Sequence, residues 1–253
     1  MKVLLIIVLV VIFVTLILNS RQSNFDSIPK IIHQIAMSKL QHEDTWPTSW
    51  KTSQETWKTH FPDFEYKLWN DRDAENLIVS EYPWFYDTYK GYKEDIKRID
   101  AIRYFFLYHY GGMYVDMDME CTANFWDQIP SNKVSVVENP WPKWMFWKAR
   151  LQNSLMISPK EHKIWKKAWR ELEDRKNEPD VLDATGPKLI ESLYLKNPDV
   201  FNILEKGSFI QSNSLTYNPL IKIDPDDNIC VEHNASASWG SGPLNELYKS
   251  IKS

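Results

Sequence analysis

Residues 94–120 read EDIKRIDAIRYFFLYHYGGMYVDMDME. Ile96, Ile99, Ile102, Phe106 and Tyr110 recur at i, i+3 and i+4 spacing, which predicts a helix with one apolar face. Asp100 and Arg103 share another face of it. Glu94 and Asp95 suit the positive end of the helix. Gly111 and Gly112 stop it, because glycine takes the left-handed conformation at C′ without a Cβ clash. Met113, Tyr114 and Val115 follow as a buried strand, with Asp116 and Asp118 at its carboxyl end. In α/β sheets, ligands bind outside the carboxyl ends of strands.

In an extended stretch, residues two apart point the same way, so both aspartates are expected to face one site. Two close carboxylates repel unless a cation sits between them. Hard divalent cations prefer oxygen donors, and Mg²⁺ or Mn²⁺ held by few carboxylates completes its shell with water and substrate phosphate. The D-x-D therefore reads as a metal site that holds a phosphorylated substrate. Upstream, Asp100 can hold a sugar hydroxyl and Arg103 a phosphate or hydroxyl. A bare D-x-D is commonly a solvated turn; the helix, the paired glycines and the apolar frame set this one apart.

The run RIDAIRYFFLYHYGGMYVDMDME resembles the signature of the D-x-D sugar-transferase family (glycosyltransferase family 32-like). That family includes the yeast initiating α-1,6-mannosyltransferase and the inositol-phosphoceramide mannosyltransferases, with the glucosylating clostridial toxins as distant relatives. The opening IPKIIHQIAMSK (28–39) resembles the family's first strand, with Ile35–Ala36 where the family usually has Thr-Trp. ATGP (184–187) and HNASASW (233–239) also match. The resemblance covers about residues 28–240. It implies a GT-A-type, Rossmann-like α/β domain that moves a hexose from a nucleotide-sugar with retention of configuration. GDP-mannose is the family's most frequent donor and UDP-hexoses come second; the acceptor is a glycan or glycolipid. By the same resemblance Asp100, Arg103, Asp116 and Asp118 carry the chemistry. Ile32, His33, Tyr114, Asn153, Thr185, Gly186 and Trp239 contact donor or acceptor. Asp116, Asp118 and His233 hold the metal, Mn²⁺ or Mg²⁺, and a neutral imidazole favours Mn²⁺.

The chain has 253 residues, 43% hydrophobic and 25% charged, with net charge −4. The charge gives no electrostatic case for nucleic acid. Twelve Trp and twelve Tyr divide between core and carbohydrate cleft, since flat amphipathic rings suit a sugar's apolar face. Residues 3–18, VLLIIVLVVIFVTLIL, are apolar throughout except for one threonine. They fall short of the roughly 20 residues of a spanning helix, but no small-residue cleavage site follows. They read as an uncleaved signal anchor (1–19) with a short stem (20–27) and a transferase domain over 28–253. Lys2 and Arg21 on either side leave the orientation open by charge; the family resemblance implies a single-pass type II arrangement, in the Golgi or ER lumen of a eukaryote and otherwise associated with a host or bacterial membrane. Cys121 and Cys230 make neither a disulfide framework nor a zinc site; they meet if Asp118 and His233 meet. The sequon Asn234–Ala235–Ser236 adjoins His233.

Strands are expected over 30–37, 66–69, 134–137 and 151–157, and helices over 49–60, 73–80, 159–176 and 243–252. Asp71 and Asp73 read as a helix cap; the resemblance implies that this turn lies near the nucleotide, which makes Asp71 a candidate contact. A Trp-rich loop, 141–147, reads as an acceptor wall or as core. Thr185 is expected to cap the helix that begins at Pro187. Glu138 and Asp183 are candidates for a general base. Two other classes compete. A haloacid-dehalogenase-like phosphohydrolase would use Asp116 as nucleophile, with Asp226–Asp227 later, but needs a longer strand before Asp116. A membrane-tethered carbohydrate-binding protein would have no use for so many metal-ligand residues.

Overall fold

The computed structural model describes residues 27–36, 46–139, 150–205, 210–212 and 229–233. The anchor 1–19, the Trp-rich loop 141–147, Asp226–Asp227, the sequon, Trp239, helix 243–252 and all of the stem but Ser27 lie outside them. In chain order the elements are β1 (Ile31–Ile35), α1 (Thr48–His60), β2 (Glu65–Trp69), α2 (Asp71–Glu81), α3 (Tyr86–Gly91), α4 (Asp95–His109), β3 (Gly112–Val115) and β4 (Met119–Cys121). They continue with β5 (Val134–Glu138), β6 (Leu151–Ser158), α5 (Ile164–Asp174), α6 (Val181–Ala184), α7 (Pro187–Lys196), β7 (Phe201–Leu204), β8 (Ile210–Ser212) and β9 (Val231–His233). The expected charged helix is shorter than 159–176. Glu161 has φ +58, outside helical space, and its N–H donates to the Tyr108 carbonyl at 2.8 Å, so the helix begins only at Ile164.

Six strands form one mixed sheet in the order β2-β1-β3-β6-β5-β7. β1 runs parallel to β2 and β3, and β6 runs antiparallel to β3 and β5. Alternation along β3 and β6 divides the interior. Met113, Val115, Leu155 and Ile157 point to a core shared with Trp57 of α1 and with Phe61, which caps its end. Tyr114 and Met156 point to the larger core, where Phe105 and Phe106 of α4 meet Trp165 and Trp169 of α5. A second sheet, β4-β9-β8, lies beyond the end of β3.

Helix α4 differs from the expected one-sided helix: every residue from Ile99 to Leu107 is buried. It lies between the sheet and α5, with Tyr104 stacked on Trp165 and Phe105 on Trp169. Asp100 and Arg103 are therefore inside the protein, where charges persist only when paired. The join to β3 is as the sequence predicts. Gly111 and Gly112 have φ +69 and +89, and the Gly111 N–H donates to the Leu107 carbonyl. A methyl on Gly112 would sit 2.5 Å from the Ile31 carbonyl oxygen, so the glycines also let β3 lie against β1.

The single-pass membrane arrangement is corrected. Among the described residues no helix is long and apolar enough to cross a membrane, and the apolar run behind that expectation is outside them. Cys121 ends β4 and Cys230 directly precedes β9; both are buried and neither is in a disulfide.

Candidate active site

Arg103 organises the site. Its side chain is 2% exposed and bonds in three directions. One terminal nitrogen lies 2.7 Å from Asp100 Oδ1. The other donates to the Asn153 carbonyl at 2.6 Å and lies 3.3 Å from Asp116 Oδ1. The guanidinium stacks on the Tyr114 ring, 4.5 Å from its centroid. The Tyr114 hydroxyl donates to Asp116 Oδ1 at 2.8 Å. Burial draws the guanidinium's pKa down, but Asp116, Tyr114 and Asp100 outweigh it and hold Arg103 firmly charged.

Asp100 is fixed on all sides. Asn153 Nδ2 donates to one carboxylate oxygen and Thr185 Oγ1 to the other, both at 3.2 Å. Burial raises its pKa, opposed by Arg103 and these two donors. Thr185 is thus not the cap of α7, as its place before Pro187 predicts. Gly186 holds the cap position without a side-chain bond, and Thr185, fully buried, turns inward to Asp100. Likewise Asn70, not Asp71 or Asp73, caps α2, accepting from the Asp73 N–H at 2.9 Å.

The D-x-D is a turn, not an extended stretch: the Met119 N–H donates to the Asp116 carbonyl at 3.2 Å. A turn sends the two side chains apart. Asp116 turns inward to Arg103 and Tyr114. Asp118 faces His233, whose Nε2 is 3.5 Å from Asp118 Oδ1. The β4–β9 pairing, Met119 opposite His233, creates that meeting. Burial lifts the Asp116 pKa to about 6; Arg103 opposes the rise and Asp118 adds to it. Burial draws the His233 pKa down, but Asp118 and Asp116 reverse this and raise it. The three expected metal ligands thus split into a pair, Asp118 and His233, and a third, Asp116, engaged elsewhere. Among the described residues no group of three or more His, Cys, Asp or Glu converges on one point. The donor chemistry of the pair, one carboxylate and one imidazole beside a second carboxylate, still fits a divalent cation that takes its other ligands from water and diphosphate.

One cleft gathers Asp100, Arg103, Tyr114, Asp116, Asp118, Asn153 and His233. Thr185 and Gly186 do not line it; Thr185 bonds to the lining residue Asp100, and Gly186 precedes the lining residue Pro187. Ile32 and His33 are elsewhere. Ile32 is core, and the His33 ring bridges the Gly111 carbonyl (2.9 Å) and the Trp69 indole N–H (3.1 Å). Glu138 pairs with Arg150 and Asp183 with Lys188, and neither lines the cleft. Sequence reasoning passed over Trp50, Gln152 and Leu182, which do line it. Only the neighbours of Asn153 carried a signal, as polar residues in a strand otherwise apolar.

The arrangement is a charged network closed by Arg103, beside a carboxylate and imidazole at the end of a central strand. Residues 47–136, which hold four of its members, match the model of the glycosyltransferase sugar-binding region containing the DXD motif. Over these residues the chain is similar to the D-x-D sugar-transferase family. The family region also includes α4 and the paired glycines, so its helix, turn and acid pair form one unit. Mannosyl phosphorylinositol ceramide synthase SUR1 of Saccharomyces cerevisiae is 49% identical over 94 residues, covering 37% of this chain and 23% of that one. Mannosyl phosphorylinositol ceramide synthase CSH1 of the same yeast is 32% identical over 224 residues, 86% of this chain and 54% of that one. The chain thus spans about half the length of CSH1, and its match to SUR1 about a quarter of that protein. Among solved structures, the PaToxG glycosyltransferase superposes with a TM-score of 0.50 at 19% identity, over 68% of this chain and 70% of that one. That likeness shows a glycosyltransferase fold, with a mixed sheet of α/β type.

Proposed function

We propose that the chain transfers a hexose, mannose in the first instance, from a nucleotide-sugar to a glycan or glycolipid acceptor. The observation that carries this reading is the Asp100–Arg103–Asp116 network beside Asp118 and His233 in one cleft. Asp100, held by Arg103, Asn153 and Thr185, presents a fixed acceptor edge to sugar hydroxyls. Arg103 keeps a positive charge under the site and steadies both Asp100 and Asp116. Mn²⁺, or Mg²⁺, held by Asp118 and His233 with Asp116 beside them, would supply Lewis-acid stabilisation of the departing nucleoside diphosphate. Among the described residues, the pairing of the carboxylates favours transfer with retention. An inverting route needs a free carboxylate opposite the leaving group. Asp100 and Asp116 are tied to Arg103, and both base candidates from the sequence are paired outside the cleft.

The test is donor hydrolysis by the full chain, offered GDP-mannose, UDP-glucose, UDP-galactose and UDP-N-acetylglucosamine with Mn²⁺. Turnover of one donor is expected, with GDP-mannose first. Release of free phosphate from a phosphomonoester, with no donor turned over, would replace this reading with a phosphohydrolase.

A further inference from the structure

Strand β1 carries two side-by-side polar residues, His33 and Gln34, both fully buried. Buried polar groups must find partners. His33 joins Gly111 to Trp69. Gln34 points to the D-x-D turn instead, where its Nε2 donates to the Asp116 carbonyl at 3.1 Å. That carbonyl accepts only, so the amide nitrogen must face it. Oε1 is left for the Tyr66 hydroxyl, which donates to it. At the other end of the turn, the Met119 carbonyl accepts from Ser53 Oγ and from Trp57 Nε1, the latter at 2.7 Å. Just beyond, the Cys121 N–H donates to Thr56 Oγ1 at 3.1 Å. The turn that aims Asp116 and Asp118 is thus pinned at both carbonyl ends by residues of β1 and α1, none of which lies in the D-x-D itself.

We infer that Gln34, oriented by Tyr66, is a positioning residue that fixes the Asp116–Met119 turn and thereby the affinity of Asp118 and His233 for a divalent cation. The inference rests on the reading of the site as a D-x-D metal site. Outer partners of metal ligands commonly govern affinity by about 10–100-fold. Here the partner acts on the backbone, because the turn's side chains are already committed.

The test titrates Mn²⁺ into the full-length protein with GDP, and separately with UDP, following the free Mn²⁺ signal by electron paramagnetic resonance. Gln34→Met keeps length and removes all the amide's bonds, to Asp116, Tyr66 and Ser53; its Mn²⁺ affinity is expected to fall by about tenfold. Tyr66→Phe leaves the amide in place but unlocked, and is expected to lose roughly threefold; it decides the matter if Gln34→Met does not fold. Val136→Ala, in β5 and away from the cleft, lowers the melting temperature without touching the turn and is expected to bind as wild type. Wild-type affinity in Gln34→Met or, where that variant does not fold, in Tyr66→Phe would overturn the inference. So would an equal loss in Val136→Ala, which would reduce the effect to stability alone. Wild-type protein that holds no Mn²⁺ with either nucleotide would overturn the metal reading, and this inference with it.

Discussion

His33 shows how much one buried side chain can commit. Its Nδ1 accepts from the Trp69 indole, so the proton must sit on Nε2, where it donates to the Gly111 carbonyl. A second proton would face the indole N–H with no acceptor. Burial accordingly holds its pKa down at about 4, opposed by the Gly111 bond. The native state then binds fewer protons than the unfolded chain below the ordinary value of 6.5. Stability from this group is fully present above pH 6.5 and is lost as pH falls toward about 4, by roughly 3 kcal/mol in all. Denaturant titrations at pH 7, 5.5 and 4.5 should show this loss in wild type and a shallower one in His33→Gln. Equal slopes would refute it. Arg103 is the second commitment at this scale. Arg103→Met leaves Asp100 buried without its counter-charge, which costs about 3–5 kcal/mol. Thermal melts should show the drop, and donor hydrolysis should vanish with it. Asp100→Asn, which keeps the shape of the side chain, should fold better than Arg103→Met yet be equally inactive.

At the scale of elements, the 94–120 unit was legible because each part obeys a local rule. Apolar spacing marks the helix, and glycine marks its end. Gly112→Ala should destabilise by about 2 kcal/mol or more, since a positive φ and a 2.5 Å approach to backbone both oppose a methyl. Gly91→Ala is the matched control, because a methyl there meets nothing within 4 Å; equal losses in the two variants would contradict the account. The direction of the D-x-D side chains was not legible. Alternation assumes an extended chain, and the Met119-to-Asp116 bond that closes the turn is invisible in a residue pattern. Thr185 misled for a similar reason. Its place before Gly-Pro looks like a cap, but a buried carboxylate elsewhere in the chain competes for the hydroxyl and wins.

At the scale of the whole molecule, the site depends on contacts far apart in sequence. Asp118 meets His233 only because β4 pairs with β9, and Asp100 meets Thr185 only because α4 and α6 lie together. Local pattern gave the ingredients of the cleft, and the resemblance grouped them; pairing between distant strands then decided which ones touch. The same logic explains the misplaced His33. It stands in the middle of β1, where packing against α4 turns its ring into the core, stacked on Phe106.

The central claim is that this cleft is a metal-dependent sugar-transfer site. Its most direct test is Mn²⁺-dependent hydrolysis of the preferred donor by wild type and Asp118→Asn, at matched folding. The account predicts turnover in wild type that disappears without Mn²⁺ and falls at least a hundredfold in Asp118→Asn, an effect of the size that loss of one charge-stabilising group has on a transition state. Equal turnover in the two proteins, or turnover indifferent to the metal, would contradict it.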